Sequence, residues 1–348
     1  MVTARGVVNT VKALASWYLT PKPWVTYLLL CVTWRCNSRC VMCNIWRKPR
    51  GYEMSVEDYQ RLSEDKALKH LRELDCTGGE PFLRKDLEEI IEVFIRNHEI
   101  KSVTIPTNGF LTRRIEDFYY NVRQFYDGWL HIGLSIDGYG ENHDKIRGVK
   151  GAFKMAFRTY QTLLEICEED EKFTTGVYAT VIGKQNIDDI PKLKKLFGQG
   201  FNFRLSCSNP NLSNSPEWMK HEEEVIKKFE RYLKLYNKSK SKSIKYIHHF
   251  LPQYYRKPWQ FIPCKIAVDG TCYVHPNGDV YPCVESWTNH YLGNCLKTPL
   301  YNILTSEKAK QVKQNIRRGS CWCIADCMLL RNVKLDPRFY RFLLSDWS

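Results

Sequence analysis

Residues 34–43 read Trp34-Arg35-Cys36-Asn37-Ser38-Arg39-Cys40-Val41-Met42-Cys43. Three cysteines stand at C-x3-C-x2-C spacing, directly after the apolar run Val25–Val32. That run is short, apolar and followed by polar turn residues, so it reads as a buried strand. The cysteines then occupy the loop at the strand's C-terminal end, where α/β folds place their chemistry. Three close thiolates suit iron, because cysteine sulfur is a soft ligand. Three is one short of the irons in a [4Fe–4S] cube, which leaves one iron free for a further ligand, as an open position does in catalytic zinc sites. The spacing alone leaves structural zinc and an ordinary ferredoxin-type cluster open.

The next informative stretch is Leu71–Cys76, followed by Thr77-Gly78-Gly79-Glu80-Pro81. Together, the cysteine triplet and this Gly-Gly-Glu-Pro turn resemble the radical S-adenosylmethionine (SAM) superfamily, over about residues 25–210. Strands alternating with helices point to parallel βαβ units. Helices are expected at Ser55–His70, Lys85–Asn97, Ile115–Tyr126, Ala152–Glu169 and Ile187–Phe197. The strands between them are Leu71–Cys76, Ile100–Pro106, Trp129–Ile136, Thr175–Ile182 and Asn202–Cys207. Six units match the partial, TIM-like (β/α)6 barrel that the resemblance implies.

The strand ends carry useful groups. Gly78 and Gly79 allow close backbone approach to a ligand. The resemblance implies that Thr77, Gly78, Gly79 and Glu80 meet the methionine amino group of SAM. It likewise implies that Asn108, Ser135 and Asp137 serve the SAM ribose and carboxylate, and hydroxyl and carboxylate groups are natural partners of ribose hydroxyls. Arg147 is expected to pair with a carboxylate in the site. Each is also an ordinary turn residue type. In the implied mechanism Cys36, Cys40 and Cys43 hold a [4Fe–4S] cluster chelated by SAM. Reduction then yields a 5′-deoxyadenosyl radical that takes a hydrogen atom from substrate. Cys76 and Cys207 lie near the mouth as candidate donors or ligands, although buried cysteine is often a small hydrophobe. Cys31 and Cys167 read as strand and helix core.

A second cysteine-dense region follows. Cys264-x13-Gly278-x4-Cys283 is similar to the start of SPASM/twitch auxiliary-cluster domains, and Cys321, Cys323 and Cys327 come later. The later C-x2-C-x5-C spacing is missing, which points to one auxiliary [4Fe–4S] cluster on Cys264, Cys283 and two of those three. Structural zinc is the alternative. The segment between Cys264 and Cys283 reads as a hairpin with a type I′ turn at Asn277-Gly278. Cys272 and Cys295 are further candidate ligands should a second auxiliary cluster exist. The expected divisions are an N-terminal basic amphipathic segment (1–24), a radical SAM core (25–210), a helical and basic linker (211–259), an auxiliary domain (260–330) and a tail (331–348). Within the linker, Pro216–Tyr236 reads as a helix and Asn237–Lys245 as a Ser-rich connection.

With 348 residues, 43% hydrophobic and 26% charged, the chain can bury a large core. Fourteen cysteines without a secretory signal point to a reducing cytosol rather than a disulfide scaffold. The net charge of +14 comes from residues 1–50 and 216–263. No nucleic-acid motif accompanies it, so a solvated face is the expected reading. The helix over Val2–Leu19 could instead touch a membrane interface. A flavodoxin- or ferredoxin-type reductant is the implied partner. About 25 residues precede the first strand, too few for a leader-peptide recognition domain. That favours a small or lipid-linked metabolite over a peptide as substrate, with a non-catalytic iron–sulfur carrier as the alternative from another class.

Overall fold

A computed structural model describes residues 24–48, 51–206, 221–236, 241–257, 259–267, 269–284, 290–321 and 326–345. Val2–Leu19 and Cys207 therefore lie outside the described residues. So does Cys323, and of Cys327 only the helical backbone is described.

Among the described residues nine strands form one open sheet: β1 (Tyr27–Thr33), β2 (Glu73–Gly78), β3 (Ser102–Thr107), β4 (Trp129–Ser135), β5 (Phe173–Val181), β6 (Phe201–Leu205), β7 (Thr271–Val274), β8 (Asp279–Tyr281) and β9 (Gly293–Asn294). Their order is β6-β5-β4-β3-β2-β1-β7-β8-β9. The first six pair in parallel with helices between them, the expected partial barrel. β7 then adds to the free edge of β1, also in parallel, with Tyr27 beside Thr271 and Leu30 beside Val274. The sheet thus runs without a break from the cysteine loop's strand into the C-terminal cysteine-rich region.

Strand periodicity divides each strand between two faces. Leu28, Leu30 and Val32 of β1 pack with Leu74, Val103, Ile105, Leu130, Ile132 and Leu134 against the helices. Truncating one of these, such as Leu30→Ala, removes about 2–5 kcal/mol of stability. The alternate residues Tyr27, Leu29 and Cys31 form a separate cluster with Tyr273 and Ile45, beneath Cys36 and Cys43. This second face is the one the cysteine loop overhangs.

Several boundaries differ from the expected ones. The helix begun by Ser55 is capped as expected: Asp58 N donates to Ser55 Oγ at 3.3 Å, and Ser55 N donates to the Asp58 carboxylate at 2.9 Å. It ends at Ser63, not His70, because Asp65 accepts from Ala67 N at 2.8 Å and starts a separate 3-10 turn, Lys66–Leu68. Part of the expected linker is helical, since Lys242–Arg256 forms a helix capped by Ser241 and buries Tyr246, Ile247, Leu251, Tyr254 and Tyr255. Its Tyr255 hydroxyl donates to Leu205 O at 3.2 Å, covering the end of edge strand β6. The β7–β8 hairpin has a three-residue loop rather than a two-residue type I′ turn. Gly278 N donates to His275 O at 2.9 Å and Gly278 takes φ +84°, a turn followed by a left-handed bulge residue.

Candidate active site

The cysteine loop is fastened on two sides. On one, Arg39 N donates to Arg147 O at 2.8 Å, Val41 N to Ile146 O at 2.9 Å and Ser38 Oγ to Arg147 O at 2.9 Å. These bonds dock it on the end of the helix Glu141–Arg147. That helix closes on Gly148, whose φ of +65° and close approach to Arg39 O leave no room for a Cβ. On the other side, Gly79 N donates to Thr33 O and Glu80 N to Arg35 O, both at 2.8 Å. A Cβ on Gly79 would stand 2.1 Å from Arg35 O, so the turn after β2 can lie against the loop only with glycine there.

The three thiols therefore lie close enough to act on one another electrostatically. Burial pushes the Cys36 thiol up to about 11, and Cys40, Cys43 and Glu80 add to the shift as neighbouring negative charges. Burial also raises Cys43, opposed by the hydrogen bond from Ile45 N and by the Arg147 guanidinium. Backbone donors already point at sulfur: Ser38 N lies 3.4 Å from Cys36 Sγ and Ile45 N 3.5 Å from Cys43 Sγ.

Glu80 is buried and accepts from Thr107 Oγ1 at 2.8 Å, Asn108 N at 2.8 Å and Phe82 N at 3.3 Å. Burial lifts its carboxyl to about 7, against these bonds. It thus ties the β2 turn to the end of β3. Asn108 continues the chain of contacts, its Nδ2 donating to Asn37 Oδ1 of the cysteine loop at 2.6 Å. Ser135 is half-buried at the end of β4. Asp137 is buried and engaged by Thr180 N at 2.7 Å and Arg147 Nη2 at 2.7 Å. Arg147 Nη1 lies 3.5 Å from Cys40 Sγ. His143 is buried and neutral, its pKa driven well down by burial, and its Nδ1 accepts from Asp137 N at 3.0 Å.

Sequence reading did not single out Asn37, Ser38, Glu53, Thr107 or His143. Asn37 and Ser38 stand inside the cysteine spacing and were open to suspicion. Glu53 accepts from Thr33 Oγ1 at 2.6 Å and Trp34 N at 3.0 Å, yet nothing in its surroundings along the chain marks it. Two buried strand cysteines fall on opposite faces of the sheet. Cys76 packs among the helix-side residues, and burial pushes its thiol far up, which removes it from the site. Cys31, read as plain core, lies on the opposite face, below the cysteine loop.

In the C-terminal region Cys264, Cys283 and Cys321 line one cavity with Ile316, Met328 and Asn332. Asn332 Nδ2 donates to Cys264 Sγ at 3.6 Å. Cys272 and Cys295 stand elsewhere, Cys272 in the helix-side core with Cys295 packed against it. Among the described residues, no three His, Cys, Asp or Glu side chains are gathered as tightly as ligands of a single ion. A four-iron cube spreads its thiolates further apart than one ion does.

Residues 30–197 match the family described as the radical SAM superfamily. Those residues form a radical SAM domain. Residues 264–328 match the SPASM iron–sulfur cluster-binding domain. The chain is 37% identical over 164 residues to Fe-coproporphyrin III synthase of Methanosarcina barkeri, covering 47% of this chain and 38% of that protein. With GTP 3′,8-cyclase of Clostridium botulinum it shares 28% over 177 residues, 50% of this chain and 54% of the relative. The chain thus spans between two fifths and just over half the length of these curated relatives. Among solved structures, SuiB of Streptococcus suis bound to SAM superposes with a TM-score of 0.62, covering 90% of this chain and 72% of SuiB at 14% identity. anSMEcpe with bound AdoMet gives 0.57 over 92% and 96% at 16% identity. At such identities the likeness is one of fold.

A radical SAM protein with a SPASM domain carries a [4Fe–4S] cluster with SAM and further iron–sulfur at its C-terminal cysteines. The donor set fits: three thiols on one loop, Cys40 buried and Cys36 and Cys43 half-buried, with backbone N–H groups aimed at two of them and a guanidinium against the third. No helix among the described residues is long and apolar enough to cross a membrane.

Proposed function

We propose that this radical SAM protein takes a hydrogen atom from a C–H bond of a polar substrate lying on the open face of the sheet. Bound here, SAM and the cluster supply a carbon-centred radical strong enough for that bond, and an auxiliary cluster supplies an electron sink. Cys36, Cys40 and Cys43 hold the iron. The Thr77–Glu80 turn offers backbone to the SAM amino group, with Gly78 and Gly79 letting that turn lie against the cysteine loop. Asn108 and Ser135 serve the ribose and carboxylate, while Asp137 acts through Arg147. A flavodoxin- or ferredoxin-type donor delivers the electron. Cys264 and Cys283, with two of Cys321, Cys323 and Cys327, hold one auxiliary cluster in a closed, apolar cavity.

The observation that carries this reading is the docking of the three-thiol loop on the β2 turn through Gly79 N and Glu80 N. The face beneath bears on the substrate. On that face of the sheet Tyr178 and, at the start of β4, Trp129 expose 45% and 52% of their surface, in register with Ser102, Thr104, His131 and Asn202. Tyr178 Oη lies 3.4 Å from His131 Nε2, whose Nδ1 lies 2.9 Å from Thr174 Oγ1. A face of hydroxyls, imidazole and exposed rings suits a hydrophilic reacting group, so of a lipid-linked metabolite the head group would lie here. A peptide is the second reading. It is favoured by the fold neighbours, which include SuiB bound to the precursor peptide SuiA and anSMEcpe with a bound Kp18Cys peptide.

Anaerobically reconstituted and reduced protein should cleave SAM slowly to 5′-deoxyadenosine without substrate, read by chromatography. Cys40→Ala should abolish this, since two thiolates on a loop cannot hold the cube in place. Undiminished cleavage in that variant would overturn the reading.

A further inference from the structure

Arg147 is buried, yet it reaches the cysteine loop with both its backbone and its side chain. Its carbonyl accepts from Arg39 N and Ser38 Oγ, and its Nη1 lies 3.5 Å from Cys40 Sγ. The other terminal nitrogen, Nη2, lies 2.7 Å from Asp137 Oδ2. Asp137 is itself immobilised: Thr180 N donates to its Oδ1 at 2.7 Å, its own N donates to His143 Nδ1, and Asn186 Nδ2 donates to its carbonyl at 2.7 Å. The guanidinium is therefore held with one terminal nitrogen on the sulfur and the other on its counter-charge.

Resting on the site reading above, we propose that the Arg147–Asp137 pair sets the reduction potential of the iron–sulfur cluster held by Cys36, Cys40 and Cys43. Uptake of one electron adds negative charge to the cluster and its thiolates. A fixed guanidinium at hydrogen-bond distance from Cys40 Sγ stabilises that charge, and net charge and hydrogen bonds to sulfur are what tune such potentials. The carboxylate paired with it opposes the effect, more weakly because it is further from the sulfur. The two residues therefore act with opposite sign. Other charges facing the site belong to Glu80, across the thiols, and to Arg204 on β6, which acts on Asp137. Arg147 is a positioning residue here as well, because its backbone carbonyl anchors the loop whatever its side chain.

The test uses the full chain, reconstituted anaerobically and titrated with dithionite and low-potential mediator dyes under electron paramagnetic resonance. The signal that changes on SAM addition identifies the cluster in question. Arg147→Gln should lower its midpoint so that, at the wild-type midpoint, the oxidised-to-reduced ratio rises about tenfold, a shift of about 59 mV for one electron. Arg147→Lys should keep most of the wild-type value. Asp137→Asn should move the midpoint upward. A merely structural role would move neither residue's midpoint, or both in one direction, and either result would overturn the proposal. Should Arg147→Gln fail to hold iron, Asp137→Asn decides alone: an upward shift supports the proposal, while an unchanged or lowered midpoint overturns it. A wild-type chain whose cluster ignores SAM would overturn the reading of the site itself, and this inference with it.

Discussion

At the N-terminal site three thiols arrive on a single loop, hydrogen-bonded on both flanks and faced by a buried guanidinium. At the C-terminal site Cys264, Cys283 and Cys321 arrive from three separate segments and meet in a cavity walled by Phe261, Ile262, Ile316, Met328 and Leu329. The first arrangement sets polar groups against the cysteine loop, Glu80 N on Arg35 O and Asn108 Nδ2 on Asn37 Oδ1. The second surrounds sulfur with apolar side chains, and its Cys264 thiol is pushed up by burial, with Asn332 among the groups opposing the shift. The uses proposed for the two sites call for such a difference. A site that must admit a second ligand needs polar handles and a short loop, whereas a closed electron sink needs enclosure. β1 joins them, since it delivers the cysteine loop at its end and pairs along its side with β7.

The strongest way to break this comparison is to remove one site at a time. Replacing Cys36, Cys40 and Cys43 together by Ala should abolish SAM cleavage and lower the iron content from about eight to about four per chain, with cubane-type absorption remaining. Zinc in that variant instead of iron and sulfide would refute the auxiliary cluster, and about twelve irons in the wild type would add a third cluster, with Cys272 and Cys295 the first ligands to examine. Replacing Cys264 and Cys283 should give the converse: SAM cleavage persists and product formation from the true substrate stops. Loss of cleavage in that variant would mean that the two sites are not separable.

A smaller effect sharpens the account of the polar handles. Glu80→Ala should keep the visible absorbance of the cluster and weaken SAM binding about ten- to a hundredfold, because bonds to a charged group contribute about 1.5–3 kcal/mol. Unchanged affinity by equilibrium dialysis would place SAM elsewhere. The smallest effect lies on the face between the two sites. The Tyr27 hydroxyl donates to Asp75, and the Arg331 guanidinium stacks 3.6 Å from the Tyr27 ring, joining β1 and β2 to the C-terminal helix Asp326–Val333. Burial lifts the Asp75 carboxyl to about 6, against Tyr27, Arg331 and Thr104. A carboxyl raised on folding contributes stability that is full below its unfolded value near 4 and lost as pH rises through about 6. Asp75→Asn should therefore flatten the pH dependence of unfolding between about pH 4 and 6 by about 1–2 kcal/mol, read by urea denaturation. An unaltered slope would show that Asp75 keeps its ordinary pKa.

Chemistry carried by neighbours along the chain was legible in the sequence. The C-x3-C-x2-C loop, the Gly-Gly-Glu-Pro turn, the cap at Ser55 and the stripe Leu87, Ile90, Ile91 and Phe94 are each set by spacing within one turn or one loop. Backbone geometry converts such spacing directly into proximity. The parallel order of the first six strands followed as well, because alternating strands and helices admit few other connections.

What tertiary structure alone decided depends on register and on partners distant in sequence. Cys31 and Cys76 look alike as buried strand cysteines, but β1 and β2 align Cys31 with Thr77 and Leu30 with Cys76. A strand's faces alternate residue by residue, so one cysteine falls beneath the cluster loop and the other among the helices. The pairing of β1 with β7 joins residues about 240 positions apart, and no local pattern announces it. The resemblance implied that Asp137 serves the SAM ribose and carboxylate, and the sequence alone did not name its partner in the folded chain. Its carboxylate meets Arg147 because the helix Glu141–Arg147 folds back over the strand ends, and a buried charge takes the opposite charge that packing brings within reach. Composition and spacing determined which elements exist and where sulfur is offered, while packing decided which charge faces that sulfur.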